Sequence, residues 1–215
     1  MKILIITLFV LLGISQTNAQ YSLRASMGID FVNSPSLNDF INQSGLTGRD
    51  YVKDFNTAVN FSAEFGYSIN QSFQMGIETG YFINSFNFNT DLGKFELGYN
   101  VIYPTVLGYY VLSGTGYNFK FGGGMGLKFV FLDLSLPGTN TTTRYSNTGF
   151  GFILRAEGNT LLGGNVFANI GADLKYDVNG IPKNNNNNLY NPISRADVNL
   201  NSFSAGIRLG LTFYF

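Results

Sequence analysis

Apolar and polar residues alternate along most of this chain with a period of two. The last segment shows the pattern most clearly, because one parity carries only Leu209, Leu211, Phe213 and Phe215. The other parity carries Arg208, Gly210, Thr212 and Tyr214. Successive side chains of a β-strand point to opposite faces. The segment is therefore predicted to be a strand with one apolar and one polar face.

Seven earlier segments repeat the pattern. They begin near Tyr21, Val59, Phe73, Phe95, Tyr117, Gly149 and Asn165, and the eighth begins near Leu200. Each has about ten residues or more, which is the length that a tilted strand needs to cross a bilayer. We therefore predict eight strands with the apolar parity facing outward and the polar parity facing inward.

For the fourth segment, the same rule of apolar residues outward and polar residues inward assigns each side chain to a face. Its outward set is Phe95, Leu97, Tyr99, Val101, Tyr103, Leu107 and Tyr109. Its inward set is Glu96, Gly98, Asn100, Pro104 and Gly108.

Short and long connections alternate between the predicted strands. The short ones lie near Asn70, Gly114 and Leu162, and the long ones cover about 33–57, 84–94, 132–147 and 178–199. This order is typical of outer-membrane barrels, which have short periplasmic turns and long outer loops. The first long connection is predicted to begin with a short helix that has Leu37, Phe40 and Ile41 on one side. The second is predicted to expose the aromatic residues Phe86 and Phe88.

The first residues have the character of an export signal. Lys2 is followed by the apolar run 3–14 and then by Thr17-Asn18-Ala19. The run is too short for a membrane anchor, and the small residues suit cleavage after Ala19. We expect a signal peptide at 1–19 and a single domain at 20–215.

Composition agrees with a sheet that has one face in lipid. Charged residues make up 12%, aromatic residues 16%, and the mean hydropathy is +0.08. Alternation alone also permits a soluble β-sandwich or a lipocalin-like barrel with its apolar face inward. The predicted signal peptide and the terminal aromatic pair favour lipid outside.

The C-terminal residues, residues 102–110 and the pattern over residues 20–215 as a whole each carry a family resemblance. The order polar–x–Gly–x–x–aromatic–x–aromatic at Gly210, Phe213 and Phe215 resembles the C-terminal signal read by the outer-membrane barrel-assembly machinery. Residues 20–215 resemble the small eight-stranded barrels of the OmpX and OmpA membrane-domain type, and residues 102–110 with Pro104 resemble the outer membrane protein beta-barrel domain. The resemblance implies an all-β, eight-stranded antiparallel up-and-down transmembrane β-barrel in the outer membrane of a Gram-negative-type cell.

Charged residues at inward positions are the candidate functional groups. The cations are Arg24, Lys120, Lys128, Arg155, Lys175 and Arg208, and the acids are Glu64, Glu78, Glu96, Glu157 and Asp173. An eight-stranded barrel is just wide enough for side chains to fill, and buried charges are costly unless paired. We expect ion pairs that plug the lumen. A polar conduit is the alternative interpretation.

Enzymatic chemistry has little support in this sequence. There is no His and no Cys, which removes the commonest acid–base, nucleophilic and metal-binding groups. Only a paired-carboxylate site among Glu64, Glu78 and Glu96 stays formally open. We therefore expect no catalytic site, no metal site and no cofactor, and the zero net charge gives no footprint for nucleic acid.

Three roles remain open at this point. The first is a structural barrel that presents surface loops, and the second is an accessory subunit of an envelope complex for secretion, uptake or barrel assembly. The third is a narrow channel for small or apolar solutes. Expected partners are outer-membrane lipid, the assembly machinery during biogenesis, and an envelope protein that contacts the loops.

Overall fold

The computed structural model describes residues 20–43, 56–90, 93–138 and 141–215. The predicted signal peptide at 1–19 lies outside the described residues. Eight antiparallel strands form a closed ring in the order β1-β2-β3-β4-β5-β6-β7-β12, with β12 returning to β1. Their bounds are Tyr21–Asn33 (β1), Asn56–Ser68 (β2), Phe73–Thr90 (β3), Gly93–Gly114 (β4), Tyr117–Ser135 (β5), Thr142–Gly163 (β6), Val166–Val178 (β7) and Ser202–Tyr214 (β12). The predicted all-β, up-and-down barrel is confirmed.

Both ends of the chain segment that forms the ring lie at one end of the barrel. The Tyr21 N–H donates to the Phe215 carbonyl at 3.1 Å, and the Phe215 N–H donates to the Tyr21 carbonyl at 3.0 Å. The short turns lie at this same end. At the first of them the Asn70 side-chain oxygen accepts hydrogen bonds from the Ser72 and Phe73 N–H groups, the usual way in which Asn stabilises a tight turn. We call this the terminal end and the opposite one the outer end.

The outside of the barrel carries an apolar band. On β1 the outward side chains from Tyr21 to Phe31 are exposed and mostly apolar, while Ser22, Arg24 and Asp30 point inward and are buried. This span of 11 residues matches the length of about 9–11 residues that a tilted strand needs to cross a membrane. The outward positions of β1 therefore fit lipid along their whole length.

Four strands continue past the band at the outer end. β3 to β6 have 18, 22, 19 and 22 residues, whereas β1, β2, β7 and β12 have 13 each. We call residues 84–90, 93–100, 130–135 and 142–149 the extension. The second and third long connections predicted from the sequence are thus mostly strand, and that prediction was wrong.

The outward face of the extension is mostly polar, with Phe131 as an exposed apolar side chain. Arg144 lies opposite Asp133 across the β5–β6 pair, and the Arg144 Nε donates to Asp133 Oδ1 at 2.7 Å in solvent. This hydrogen bond and the negative charge of Asp133 raise the pKa of the Arg144 guanidinium. The inward face of the extension is instead apolar and buried, and it includes Phe86, which the sequence had predicted to be exposed. The extension therefore has the polarity of a soluble sheet, the reverse of the apolar band.

This reversal overturns the predicted faces of β4. Phe95, Leu97, Tyr99, Val101, Tyr103, Leu107 and Tyr109 point inward and are buried, while Glu96, Gly98, Asn100, Pro104 and Gly108 lie on the outward side. The polar residues that defined the predicted inward face lie mainly in the extension. There, water covers the outside of the strand, so the polar side faces out.

A helix and the last connection fill the barrel at the level of the extension. Helix α1, Pro35–Gln43, buries Leu37, Phe40 and Ile41 on one side, as predicted. The last connection contains four two-residue strands: Lys183–Asn184 (β8), Asn187–Asn188 (β9), Tyr190–Asn191 (β10) and Ala196–Asp197 (β11). Among the described residues, no helix has both the length and the apolar character needed to cross a membrane.

Candidate functional site

The interior of the barrel holds most of the charged residues singled out in the sequence. Ten of the eleven are buried: Arg24, Glu64, Glu78, Lys120, Lys128, Arg155, Glu157, Asp173, Lys175 and Arg208. They come from seven of the eight strands of the ring, β1, β2, β3, β5, β6, β7 and β12. Every strand of the ring except β4 thus directs charge to the same interior.

The centre of the interior is a cluster of acids and arginines. Glu64 and Glu78 lie directly opposite each other on β2 and β3, an arrangement that is unfavourable for two like charges without a counter-ion. Arg155 supplies one counter-ion, because its Nη1 lies 2.7 Å from Glu78 Oε2. Arg24 supplies another and pairs with both carboxylates.

The cluster extends to the far wall of the barrel. Arg155 Nε lies 2.8 Å from Asp173 Oδ1 on β7, and Arg208 Nη2 lies 2.7 Å from Glu157 Oε2. Arg24 also pairs with Glu157. The side chains concerned are at most 5% exposed. Paired charges therefore cross the full width of the barrel.

A second group of ion pairs lies nearer the outer end. Lys175 Nζ lies 2.8 Å from Asp30 Oδ2, and Asn60 donates to the same oxygen at 2.6 Å. Lys128 Nζ lies 2.9 Å from Asp177 Oδ1 and 4.6 Å from the centre of the Tyr103 ring. A cation over an aromatic face gains further electrostatic stabilisation.

Neutral side chains close the terminal side of the cluster. Asn159 donates to Asn118 at 2.8 Å, and its own oxygen accepts from Asn169 at 2.9 Å and from Thr212 at 3.0 Å. These four residues lie on four consecutive strands of the ring. Lys120, between this layer and the cluster, lies 3.5 Å from Glu157 Oε1.

Apolar side chains close the outer side. Leu37, Phe40 and Ile41 of α1 and Leu189, Val198 and Leu200 of the last connection pack against the inward wall of the extension. We call these six residues the apolar plug. A cavity of about 10 Å³ lies beside the second group of ion pairs and is bordered by Lys128, Lys175 and Asp177, which is about the room that one water molecule needs.

Hydrogen bonds hold the two parts of the plug together. The Ser36 hydroxyl of α1 accepts from the Asn199 N–H at 2.9 Å, and Asn191 donates to Gln43 at 3.0 Å. Asn179 donates to the Tyr99 hydroxyl at 3.0 Å and so joins the last connection to β4.

Among the eleven charged residues predicted for the interior, Glu96 is the one that the structure places elsewhere. It points outward from the extension, is half-exposed, and pairs with Lys94 on the same strand. The reason is the reversal of polarity along β4 described above. Glu64 and Glu78, the other members of the hypothetical paired-carboxylate site, are both engaged by arginines.

Three interior residues were missing from the predicted set. Asp30 and Asp177 have the inward parity of β1 and β7, so the alternation alone could have identified them. Tyr109, whose hydroxyl donates to Glu64 at 2.7 Å, could not be found that way, because its strand was assigned the wrong face.

The predicted C-terminal signal lies at the β1–β12 seam. The Phe215 ring stacks on Phe213 at 5.8 Å and on Tyr21 at 6.1 Å between ring centres. Gly210 lies opposite Ser26 of β1. Within the described residues no group of three or more His, Cys, Asp or Glu is arranged to hold a metal ion.

Comparison with known proteins gives a result at the level of fold. No protein-family model matches the chain, and no curated protein sequence matches it. Among solved structures, Neisserial surface protein A is similar with a TM-score of 0.51 and 12% identity, covering 91% of this chain and 97% of the other. The attachment invasion locus protein Ail of Yersinia pestis is similar with a TM-score of 0.54 and 12% identity, covering 93% of this chain and all of the other (100%).

At such identity the likeness concerns the fold, and it agrees with the closed ring of eight strands and the outward apolar band. The chain therefore has the fold of these small eight-stranded β-barrels, as its sequence pattern predicted.

Proposed function

We propose that this protein is a non-enzymatic outer-membrane barrel whose lumen is closed and whose extension is displayed at the cell surface. The observation that carries the proposal is the double closure of the interior. Charged side chains pair across the full width of the barrel in the membrane band, and the apolar plug fills the space above them. A channel would need a continuous water path through both levels.

The extension supports the surface role. It is a β-sheet with its own apolar core, and its polar outward face meets water. Strands of 22 residues reach about 70 Å when extended, well beyond the roughly 30 Å hydrocarbon core of a bilayer. In this proposal the apolar band anchors the protein in the membrane, and the extension forms a folded element at the surface.

Conductance tests the closed lumen. The wild-type protein in planar bilayers is expected to show no steady ion current, with an open porin measured beside it as the positive control. Well-resolved openings in the unmodified protein would overturn the proposal in favour of a channel.

Single cysteines test the surface display, because the chain has no native Cys. Asn87→Cys places a thiol on the exposed face of the extension, and Ser113→Cys places one at the exposed last residues of β4, at the terminal end. A membrane-impermeant maleimide added to intact cells is expected to label the first variant and not the second. Both variants should react after lysis. Labelling of Ser113→Cys alone in intact cells would show that the barrel has the opposite orientation.

An accessory role in an envelope complex is the second candidate, and one observation favours it. The β10–β11 hairpin exposes Tyr190 and Ile193 at 50% and 61%, while Asn191 between them is buried and accepts from the Ile193 and Ser194 N–H groups. A fixed hairpin with an apolar tip suits contact with a partner protein. Site-specific crosslinking from position 193 in intact cells is expected to yield a protein adduct if this role is correct. Only uncrosslinked protein would count against it.

A further inference from the structure

The outer surface of the barrel has an apolar groove within the membrane band. The groove crosses β3 to β6 and has a volume of about 490 Å³, and its lining includes Ile77, Pro104, Val106, Met125, Phe150 and Phe152. This volume falls within the usual range of roughly 300–1,000 Å³ for small-molecule sites. A concave site is unexpected on the convex outside of a barrel.

Pro104 and Val106 of β4 lie in the lining of the groove. The compact Pro104 ring points outward, and two positions along the strand Val106 lies between Ile77 and Met125, which are 65% and 64% exposed. The pairing of β4 with β5 stops at Ile102 and resumes at Thr105. Proline has no N–H group to continue such a ladder.

The groove has a closed floor. A Cβ atom added at Gly126 would overlap the Pro104 carbonyl oxygen, and one added at Gly124 would overlap the Val106 carbonyl oxygen. The β4 backbone therefore lies directly against β5. An occupant of the groove stays on the membrane side and has no passage to the ion pairs inside.

The position and chemistry of the groove identify its occupant. Ile77 lies midway between the outward rings of Phe73 and Tyr81 on β3, so the groove is near the middle of the apolar band. No charged side chain lines it, and at this depth a bilayer offers only hydrocarbon. An empty groove would forfeit dispersion contacts that a flexible chain can make.

We propose that the groove binds an acyl chain of a membrane lipid and retains it more firmly than the rest of the barrel surface does. The Phe150 and Phe152 rings, edge to face at 5.7 Å, form one rigid wall. The Pro104 ring forms a floor without side-chain freedom. Such a preformed surface lowers the entropic cost of ordering the bound chain.

Native mass spectrometry in a mild detergent, after incubation with dioleoyl phosphatidylethanolamine, tests the proposal. Val106→Phe fills the groove. Val59→Phe makes the same change at an outward position of β2 away from it. Met125→Ala removes one wall and serves as a second groove variant if Val106→Phe fails to fold, which a heat-modifiability gel reports.

Wild type and Val59→Phe are expected to retain a bound lipid, and the groove variants are expected to lose it severalfold more readily. Equal retention by Val106→Phe and Val59→Phe, or no retention by any form, would overturn the proposal. A protein dimer that disappears only in Val106→Phe would also overturn it, because it would assign the groove to a second copy of the chain.

Discussion

At the scale of single residues, the close packing of β4 against β5 depends on glycine. Gly124 lies where a Cβ atom would overlap the Val106 carbonyl oxygen and crowd the Leu107 side chain. The obstacle is backbone, which cannot rotate away as a side chain can. The close approach of these two strands therefore requires the absence of a side chain at this position.

Gly124→Ala is accordingly expected to lower the free energy of unfolding by about 1–3 kcal/mol, the usual cost of overpacking. Gly108→Ala is the matched control, because a Cβ atom there has nothing within 4 Å. Urea unfolding in lipid vesicles measures both. Equal stability of the two variants would show that β4 and β5 separate without cost.

The buried arginines offer a second prediction at this scale. Arg155→Ala leaves Glu78 and Asp173 without their shortest ion pairs in a water-excluded interior. Removal of one partner from a buried pair typically costs about 3–5 kcal/mol.

Arg144→Ala is the control, because this arginine pairs with Asp133 in solvent on the extension. Its loss is expected to leave stability unchanged, as is common for exposed pairs. The midpoint of urea unfolding distinguishes the two variants. If Arg155→Ala proved as stable as Arg144→Ala, the interior charges would have to be hydrated individually.

At the scale of elements, the last strand closes the barrel and also carries the predicted assembly signal. Phe213 and Phe215 belong to an aromatic row that continues to Tyr21 across the seam. Tyr214 points to the interior, where its hydroxyl accepts from Asn118 at 3.2 Å. The outward face of β12 therefore contributes to the aromatic row at the seam, and its inward face contributes to the polar interior.

Changing Phe213 and Phe215 together to Ser is expected to impair membrane insertion far more than Tyr214→Ser. Each lost lipid-facing aromatic costs roughly 1.5–3 kcal/mol, and the proposed assembly signal is lost as well. The amount of folded, heat-modifiable protein in the membrane fraction is the measurement. A similar defect in both variants would argue against a special role for the outward pair.

Helix α1 is the element that closes the outer end. Ile41 is fully buried in the apolar plug, whereas Asp39 on the same helix is exposed. Ile41→Ala is expected to cost about 2–5 kcal/mol of local stability, as for other large-to-small core changes, and Asp39→Ala is expected to cost little.

Hydrogen exchange of the α1 amides reports this loss directly. Faster exchange in α1 and the last connection, with unchanged exchange in the membrane band, is the expected pattern for Ile41→Ala. Exchange that rises throughout the barrel would mean that the plug and the ring unfold together rather than separately.

At the scale of the whole molecule, the polarity of the outer and inner faces changes along the barrel axis. In the apolar band the outside is apolar and the interior is mostly polar, and in the extension the order is mostly reversed. Each arrangement buries the side chains that its surroundings would not solvate. The boundary passes through β3 to β6, which run continuously from one region to the other.

The whole-molecule prediction concerns leak through the interior. Replacing Lys120, Lys128 and Arg155 with Ala removes partners of Glu157, Asp177, Glu78 and Asp173. The interior then has excess negative charge and more space, so cation conductance should appear or stability should fall. Planar-bilayer recording and the unfolding temperature of the gel-shifted form measure the two effects. A variant unchanged in both would refute the ion-pair plug.

The alternation of residue types by itself determined the number of strands in the ring and the positions of the short turns. It also put ten of the charged residues on the polar parity of their strands, because strand formation and side-chain parity are local properties of the chain. The parity of β12 and the helical start of α1 could be read in the same way. No tertiary information was needed for these features.

Which face of a strand points inward is decided by what lies across from it, and that is not local. For β4, both parities contain residues that suit burial, and the polar set around Glu96 and Asn100 lies where water covers the outside. Only the tertiary structure brings α1 and the last connection, more than a hundred residues apart in sequence, into the space beside Phe95 and Leu97. That packing makes the interior apolar there and turns Glu96 outward, away from the ion pairs.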